Sequence, residues 1–353
     1  MHKWLPYFEA VILILLIGFT FLNLRKGQPD VHSPPVSQAK AFIEQGDESF
    51  AKQEPDLPNA LVSYWRAIQS MGTDDQNAVP RGSDRESLLH AHLRVSEIYF
   101  HSSWIEDAKS HLKRAAQIDP NHVDVHLLRG KLLRDAGNQG LAVQELLAVI
   151  EKDSTHAEAQ YLVGVLYQGT KQYREAIVHY EKAVENDPGL TPLPFESAPI
   201  GLQARLQLSR TYRTHLQGYR FMDRELTAEE QAEVAGLEDK AIAALEEAVE
   251  RKPDFREAKD ELVNMLYTKA ATLRRSGDER FYDEALQVYE QIVGLSPSEI
   301  SAWQWIGQIN GSFLQEPEAA LKAFKKAYDL EPDPGTLAEI KNLEEILEQM
   351  KNE

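Results

Sequence analysis

The chain contains no cysteine, although it is 353 residues long. Without a thiol the sequence excludes disulfide bonds, cysteine-ligated zinc, iron–sulfur clusters and thiol catalysis. The same absence excludes an anchor of the lipoprotein type, which requires an acylated cysteine. A protein without cysteine is suited to an oxidising compartment, where free thiols would be oxidised.

Basic residues are scarce relative to acidic ones. The sequence has 38 Lys and Arg against 56 Asp and Glu, which gives a formal net charge of −18. Proteins that bind nucleic acid generally need an excess of Lys and Arg to neutralise phosphates. The composition therefore argues against nucleic acid as a partner, whereas the 42% of apolar residues is sufficient for a packed core.

Sequence motifs of catalysis are also missing. There is no GxxxxGK[ST] phosphate loop, no GxGxxG motif after a strand and no GxSxG nucleophile motif. The remaining candidates for chemistry are clustered histidines: His90, His92, His101, His111, His122 and His126. The i, i+4 spacing of the last two is typical of metal ligands, but Val-Asp-Val lies between them. We therefore predict no cofactor, metal or catalytic residue, and an enzyme or metal-binding protein that uses this cluster is the least favoured alternative.

The sequence has a single long apolar run, which extends from Leu5 to Leu24. Twenty helical residues cover about 30 Å, the thickness of the hydrocarbon core of a bilayer. The alternative of a cleaved signal peptide requires a small-x-small site after the run, and Asn23-Leu24-Arg25-Lys26 stands there instead. A buried core helix is disfavoured because the run is apolar on every face. The sequence predicts one transmembrane anchor over residues 1–26.

The positive charges on the two sides of this anchor hardly favour either orientation, because Lys3 lies on one side and Arg25 and Lys26 lie on the other. We predict a single-pass protein of a bacterial inner membrane with the rest of the chain in the periplasm. Residues 27–38 contain three prolines and no apolar periodicity, which predicts an extended linker.

An internal repeat with a period of 34 residues follows the linker. The first set of matching positions is Tyr99, Ala108, Leu112, Ala115 and Pro120. The second and third sets, in the same order, are Leu133, Ala142, Leu146, Val149 and Ser154, then Tyr167, Ala176, Tyr180, Ala183 and Pro188. Three residues before each set stands a small residue: Ser96, Gly130 or Gly164. This pattern resembles the tetratricopeptide-repeat (TPR) family.

The resemblance implies an all-α fold, a right-handed α-solenoid of helix-turn-helix repeats in which small residues mark the helix crossings, Gly130 with Ala142 and Gly164 with Ala176. We expect a degenerate first repeat and connection at 39–84, three regular repeats at 89–190, three further pairs with insertions at 200–334, and a capping helix at 335–353. The capping box Thr227-Ala-Glu-Glu230 predicts that the helix before Pro253 begins there and is long.

In this family the first helix of each repeat lines a concave groove that holds a partner segment. The positions that the resemblance assigns to the groove are Leu93, Glu97, Phe100, Leu127, Lys131, Arg134, Tyr161, Val165, Gln168, Arg210 and Arg213. Four of these are basic, so an extended peptide with carboxylates is expected to fit. Trp303 and Trp305 are further candidates for anchoring a partner.

The sequence thus favours a membrane-tethered scaffold or assembly factor that binds other proteins or protein segments and contacts the bilayer through residues 5–24. The alternative is a permanent structural subunit of a membrane complex. In that case the inserts at Gly218–Val234 and Arg274–Phe281 would be docking elements.

Overall fold

The computed structural model describes residues 36–52, 55–71, 83–187, 198–222, 224–234, 236–275 and 280–352. The predicted anchor at residues 5–24 lies outside these ranges, as does most of the linker. From residue 36 onward, the described helices include none that is long and apolar enough to cross a membrane.

The described residues form sixteen helices in chain order. They are α1 (Val36–Phe50), α2 (Leu57–Ser70), α3 (Ser83–His101), α4 (Ile105–Ile118), α5 (Val123–Asp135), α6 (Gln139–Lys152), α7 (Ala157–Gly169), α8 (Tyr173–Asn186), α9 (Ile200–Arg220), α10 (Ala228–Val234), α11 (Leu237–Arg251), α12 (Arg256–Arg275), α13 (Arg280–Leu295), α14 (Ile300–Ser312), α15 (Pro317–Leu330) and α16 (Pro334–Asn352).

The chain divides into two compact units, one that ends at Ala204 and one that begins at Arg205, so the division falls within α9. In the first unit α1 packs on α2, α3 on α4, α5 on α6 and α7 on α8. In the second unit α12 packs on α13, α14 on α15, and α16 covers α15. Each helix thus buries its apolar face mainly against its neighbours in sequence, as stacked repeats require.

Glycine allows the two helices of a repeat to cross closely. A Cβ atom added to Gly130 would meet the side chain of Leu146 at 2.8 Å, and one added to Gly164 would meet the ring of Tyr180 at 2.8 Å. Gly307 has the same relation to Phe324, at 2.7 Å. A side chain in place of these hydrogen atoms would overlap a core residue, so the repeat requires glycine there.

Gly130 and Gly164 were expected to cross Ala142 and Ala176. The side chain nearest to each glycine belongs to the residue four positions after that alanine. The alanine allows the backbones to approach, since the carbonyl oxygen of Ala142 lies 3.6 Å from the position that a Cβ atom on Gly130 would occupy. In the first regular repeat the small residue is Ser96, whose hydroxyl donates a hydrogen bond to the carbonyl of Ala108 at 2.8 Å.

Two helices begin earlier than the sequence predicted. Helix α1 starts at Val36, within the predicted linker, and α3 starts at Ser83, ahead of the first regular repeat. Asp84 and Glu86 occupy the first turn of α3, where acidic groups interact favourably with the helix dipole. The domain limits between repeats remain predictions.

The long helix expected from Thr227 onward is not formed, although its capping box is. The backbone N–H of Thr227 donates to the Glu230 carboxylate at 2.9 Å, and that of Glu230 donates to the Thr227 hydroxyl at 3.2 Å. The helix so begun, α10, ends at Val234. Gly236 then adopts a left-handed conformation with φ of 81° and precedes α11, because such a backbone cannot continue a right-handed helix.

Candidate functional site

The regular repeats of the first unit bring three groove candidates to a partly exposed surface: Phe100 on α3, and Tyr161 and Val165 on α7. Phe100 packs against the cluster that contains Leu93, and Tyr161 packs against the cluster that contains Leu127. Leu93 and Leu127 themselves are buried in the core. The apolar candidates therefore divide into a buried layer and partly exposed side chains packed against it.

Lys131 does not offer a free charge to this surface. Its ammonium lies 2.5 Å from the carboxylate of Glu158, and the residue is only 7% exposed. Glu158 belongs to the first turn of the next repeat, so the ion pair connects α5 to α7. A buried ammonium needs such a partner, because an unpaired charge in the interior is costly.

Other polar groove candidates of this unit are also engaged within the chain. The Arg134 guanidinium contacts Asp135 at 2.9 Å, and the Glu97 carboxylate accepts from Arg94 at 2.7 Å. Gln168 accepts a hydrogen bond of 2.6 Å from the hydroxyl of Tyr180.

In the second unit, Arg210 and Arg213 both contact one carboxylate, that of Glu261 on α12. The Glu261 side chain is 15% exposed, whereas each arginine is roughly two-fifths exposed. The positive charges that suggested an acidic ligand from sequence are thus largely neutralised by Glu158, Asp135 and Glu261.

A pocket of about 600 Å³ adjoins the groove face of α3 and the start of α5. Its lining residues are Arg85, Glu86, Leu89, His90, Leu93, Asp119, His122 and Asp124. Arg85 donates a hydrogen bond of 2.5 Å to the carbonyl oxygen of Ile118. Three carboxylates and one guanidinium border this space, so its charge is acidic.

Of the residues that line this pocket, the repeat register assigned only Leu93 to the groove, and His90 and His122 were noted only as part of the histidine cluster. A signal was available, because His90, Asp124 and Glu158 are separated by the same 34 residues as the groove positions. These three residues stand three positions before Leu93, Leu127 and Tyr161. The position three residues before each of these groove candidates therefore holds two residues that line the pocket, His90 and Asp124, and the partner of Lys131, Glu158.

The histidines that are clustered in the sequence each contact a different partner in the structure. His90 lies 2.8 Å from the Asp47 carboxylate and His126 2.6 Å from that of Glu145. His122 accepts through Nδ1 from the backbone N–H of Asp124 and so caps α5. In the described part of the chain, no group of three or more His, Asp or Glu side chains is arranged to hold a metal ion.

His92 and His111 form a buried pair, with 3.0 Å between their Nδ1 atoms. The rings of Trp65 and Tyr99 pack against His111. Burial lowers the pKa of His92 to about 4 and that of His111 to about 3, and the positive charge of Arg114 adds to both effects. At neutral pH both imidazoles are uncharged members of the core.

The two tryptophans considered as partner anchors make contacts inside the second unit. The guanidinium of Arg274 lies 3.4 Å above the ring of Trp305, and Tyr289 stacks on the same ring. The indole N–H of Trp303 donates to the carbonyl of Pro297 at 2.9 Å. Trp305 thereby contacts two other helices, α12 and α13, whereas Trp303 is tied to the turn that precedes its own helix.

The insert that contains α10 presents apolar side chains to solvent. Phe221 is 83% exposed and Met222 follows it. The insert is fixed to α9 by Glu233, whose carboxylate contacts His215 at 2.8 Å and accepts from the Tyr219 hydroxyl at 2.9 Å.

Comparison with known proteins identifies the repeat. The tetratricopeptide repeat family models match residues 157–190 and 300–334. Human protein O-mannosyl-transferase TMTC1 is 25% identical over 241 residues, which are 63% of this chain and 25% of that protein. The chain thus spans only a quarter of the length of this relative.

Solved structures with similar helical arrangements include PilF of Pseudomonas aeruginosa, which is 16% identical, with 74% of this chain and 98% of that chain covered and a TM-score of 0.42. A tetratricopeptide repeat protein of Parabacteroides merdae is 15% identical, with 87% and 98% covered and a TM-score of 0.41. YrrB, described as a TPR protein with an unusual peptide-binding site, is 19% identical, with 65% and 97% covered and a TM-score of 0.37.

Proposed function

Because this chain is a tetratricopeptide-repeat protein, we propose that it is a membrane-tethered scaffold or assembly factor that binds an extended segment of a partner protein. The segment lies along the face of α3, α5 and α7 in the first unit. The observation that carries the proposal is the partly exposed apolar side chains of Phe100, Tyr161 and Val165, of which Phe100 and Tyr161 pack against a buried layer. Apolar surface of this kind is a common feature of protein recognition sites.

The membrane tether in this proposal is the apolar run from Leu5 to Leu24. Its length and its lack of a cleavage site support an uncleaved anchor. We place the repeats on the periplasmic side of a bacterial inner membrane. A tether of this kind raises the local concentration of the groove near other membrane proteins.

A permanent subunit of a membrane complex is the second candidate. The exposed Phe221 and Met222, on an insert that Glu233 bonds to α9, favour it, because exposed apolar side chains suit a lasting interface. Purification of the full chain from mild detergent at its native level distinguishes the two. Partners in fixed stoichiometry would indicate a subunit, and weak substoichiometric partners an assembly factor.

We propose no enzymatic activity for the chain. The relative whose name includes a mannosyl-transferase activity matches over only a quarter of its own length. The repeat supplies helix packing positions and no chemistry of its own.

Site-specific photocrosslinking tests the groove. A photoreactive amino acid replaces Val165 in the full chain, and the matched control replaces Val178, an exposed valine on α8. We expect covalent adducts with a partner protein from position 165 and few from position 178. Equal crosslinking from both positions, or none from position 165, would show that the groove is not the binding surface.

A further inference from the structure

We infer that the partner segment carries a lysine or arginine, whose side chain occupies the pocket between α3 and the start of α5. The inference rests on the proposed function and adds to it the sign of the charge that the groove selects. This sign is opposite to the one that the sequence suggested. It follows from the pairing of the charged groups on the groove face.

The basic groups of the groove are already neutralised within the chain. Lys131 is buried against Glu158, and Arg134 contacts Asp135. An acidic ligand would have to replace these contacts and would leave carboxylates such as that of Glu158 unpaired. Displacing a buried ion-pair partner is costly, so Lys131 in particular is a poor receptor for a carboxylate.

The carboxylates of the pocket are less completely paired. Among the ion pairs of the described residues, Glu86 and Asp119 take part in none, and Asp124 has a 4.0 Å contact with His122. The Nδ1 atom of His122 accepts a hydrogen bond, so it does not supply a proton to that carboxylate. Arg94 is within electrostatic range of Asp124, but its guanidinium is engaged by Glu97 at 2.7 Å.

The carboxylates of the pocket can accept further hydrogen bonds. Asp119 accepts one hydrogen bond, from the backbone N–H of Asn121 to Oδ1, and the side chain of Asp124 is 46% exposed. A carboxylate has roughly four acceptor positions. An ammonium or guanidinium that enters the pocket therefore finds acceptors already in place.

The pocket is also large enough to admit a long basic side chain. Its volume is about 600 Å³, and Leu89 and Leu93 give it an apolar floor. Lysine and arginine have an aliphatic stem that packs on apolar surface while the charged end reaches polar groups. Further along the same face, Tyr161 and Val165 offer apolar contacts, so the expected segment combines a basic residue with apolar residues.

The test is selection of random peptides displayed on phage against the immobilised full chain in mild detergent. We expect the peptides that bind the natural sequence to be enriched in Lys and Arg. The variant Glu86→Gln with Asp124→Asn should lose that enrichment. Its control, Glu151→Gln with Glu185→Gln, makes the same charge change at residues of α6 and α8 that lie outside the pocket and should keep it.

A selected basic peptide, synthesised with a fluorescent label, allows the change in binding affinity to be measured. We expect the pocket variant to bind it roughly threefold to tenfold more weakly, because two partly exposed ion pairs are lost. The same peptide with Gln in place of its Lys and Arg should bind the natural chain as weakly. This second comparison requires no change to the protein, so it tests the inference even if the variant does not fold.

The outcomes separate the two proposals. Selection of peptides without basic enrichment, or of acidic peptides, would overturn the inference and leave the groove as a binding site. Enrichment that persists unchanged in the pocket variant would overturn the inference as well. Failure to select any peptide above background would contradict both proposals.

Discussion

The ammonium of Lys131 lies 2.5 Å from the carboxylate of Glu158, and this ion pair joins the first helices of two successive repeats. Lys131 is one of the residues that its register assigns to the ligand groove, yet the pair directs its charge into the protein. The charge of this face of the first unit therefore depends on pairing within the chain.

Replacement of Lys131 by Met is expected to lower the free energy of unfolding by about 2 kcal/mol, because the largely buried Glu158 loses its counter-charge. Adding Glu158→Gln should recover part of the loss. Urea unfolding measures both changes. The control is Lys109→Met, which breaks an exposed pair with Glu106 and should change stability by less than about 0.5 kcal/mol. Equal losses in the two lysine variants would contradict the structural role of Lys131.

Gly164→Ala is expected to destabilise the first unit by about 1–3 kcal/mol, because the new methyl group would lie 2.8 Å from the ring of Tyr180. The control is Gly140→Ala on α6, where the added Cβ has no neighbour within 4 Å apart from the local backbone and the adjacent residues. That change should be neutral or stabilise by up to about 1 kcal/mol through helix propensity. Thermal and urea unfolding of both variants would measure the difference, and a neutral Gly164→Ala would refute the close crossing.

Stability is expected to fall as the pH decreases below about 6.5. Burial lowers the pKa of His92 to about 4 and that of His111 to about 3 from the ordinary value of 6.5. The unfolded chain therefore binds protons first, and the stabilising contribution that is complete above pH 6.5 is lost toward pH 4. Each extra proton bound by the unfolded state contributes a slope of up to about 1.4 kcal/mol per pH unit.

Urea unfolding as a function of pH measures this effect. The variant His111→Leu removes one of the two proton-binding sites, so its stability should depend less steeply on pH between 6.5 and 4. A natural chain and variant with the same slope would show that the pair contributes nothing to the acid sensitivity.

Arg274→Ala is expected to lower the stability of the second unit by about 1 kcal/mol, since it removes the cation that lies 3.4 Å above the ring of Trp305. The adjacent Arg275 is exposed, and Arg275→Ala should have little effect. Urea unfolding followed by tryptophan fluorescence compares the two. If both substitutions lower the free energy of unfolding equally, the contact between Arg274 and the ring of Trp305 adds no stability.

Much of the helical arrangement could be predicted, because the repeat makes each helix packing position recur at a fixed spacing. The family resemblance implied crossing points at Gly130 and Gly164, and the structure shows that a side chain at either position would overlap a core residue. The break after Val234 could not be predicted from the capping box, since a cap defines where a helix starts. The left-handed conformation of Gly236 is what separates α10 from α11.

The ligand surface was less accessible to sequence reasoning. The family resemblance assigned Lys131, Arg210 and Arg213 to one face of their helices, but it contains no information about the charge opposite each one. Glu158 is 27 residues after Lys131 in the chain, and Glu261 follows Arg213 at a greater distance. Only packing of one helix on the next brings these carboxylates to the cations.

The sequence by itself determined the repeat and the small residues at the crossings, because these positions recur at a fixed spacing of 34 residues. The tertiary structure decided which charges are neutralised, which rings are covered and where the acidic pocket opens. Those properties depend on contacts between separate helices, and a small shift in packing changes the partner of a charged side chain without changing the periodicity.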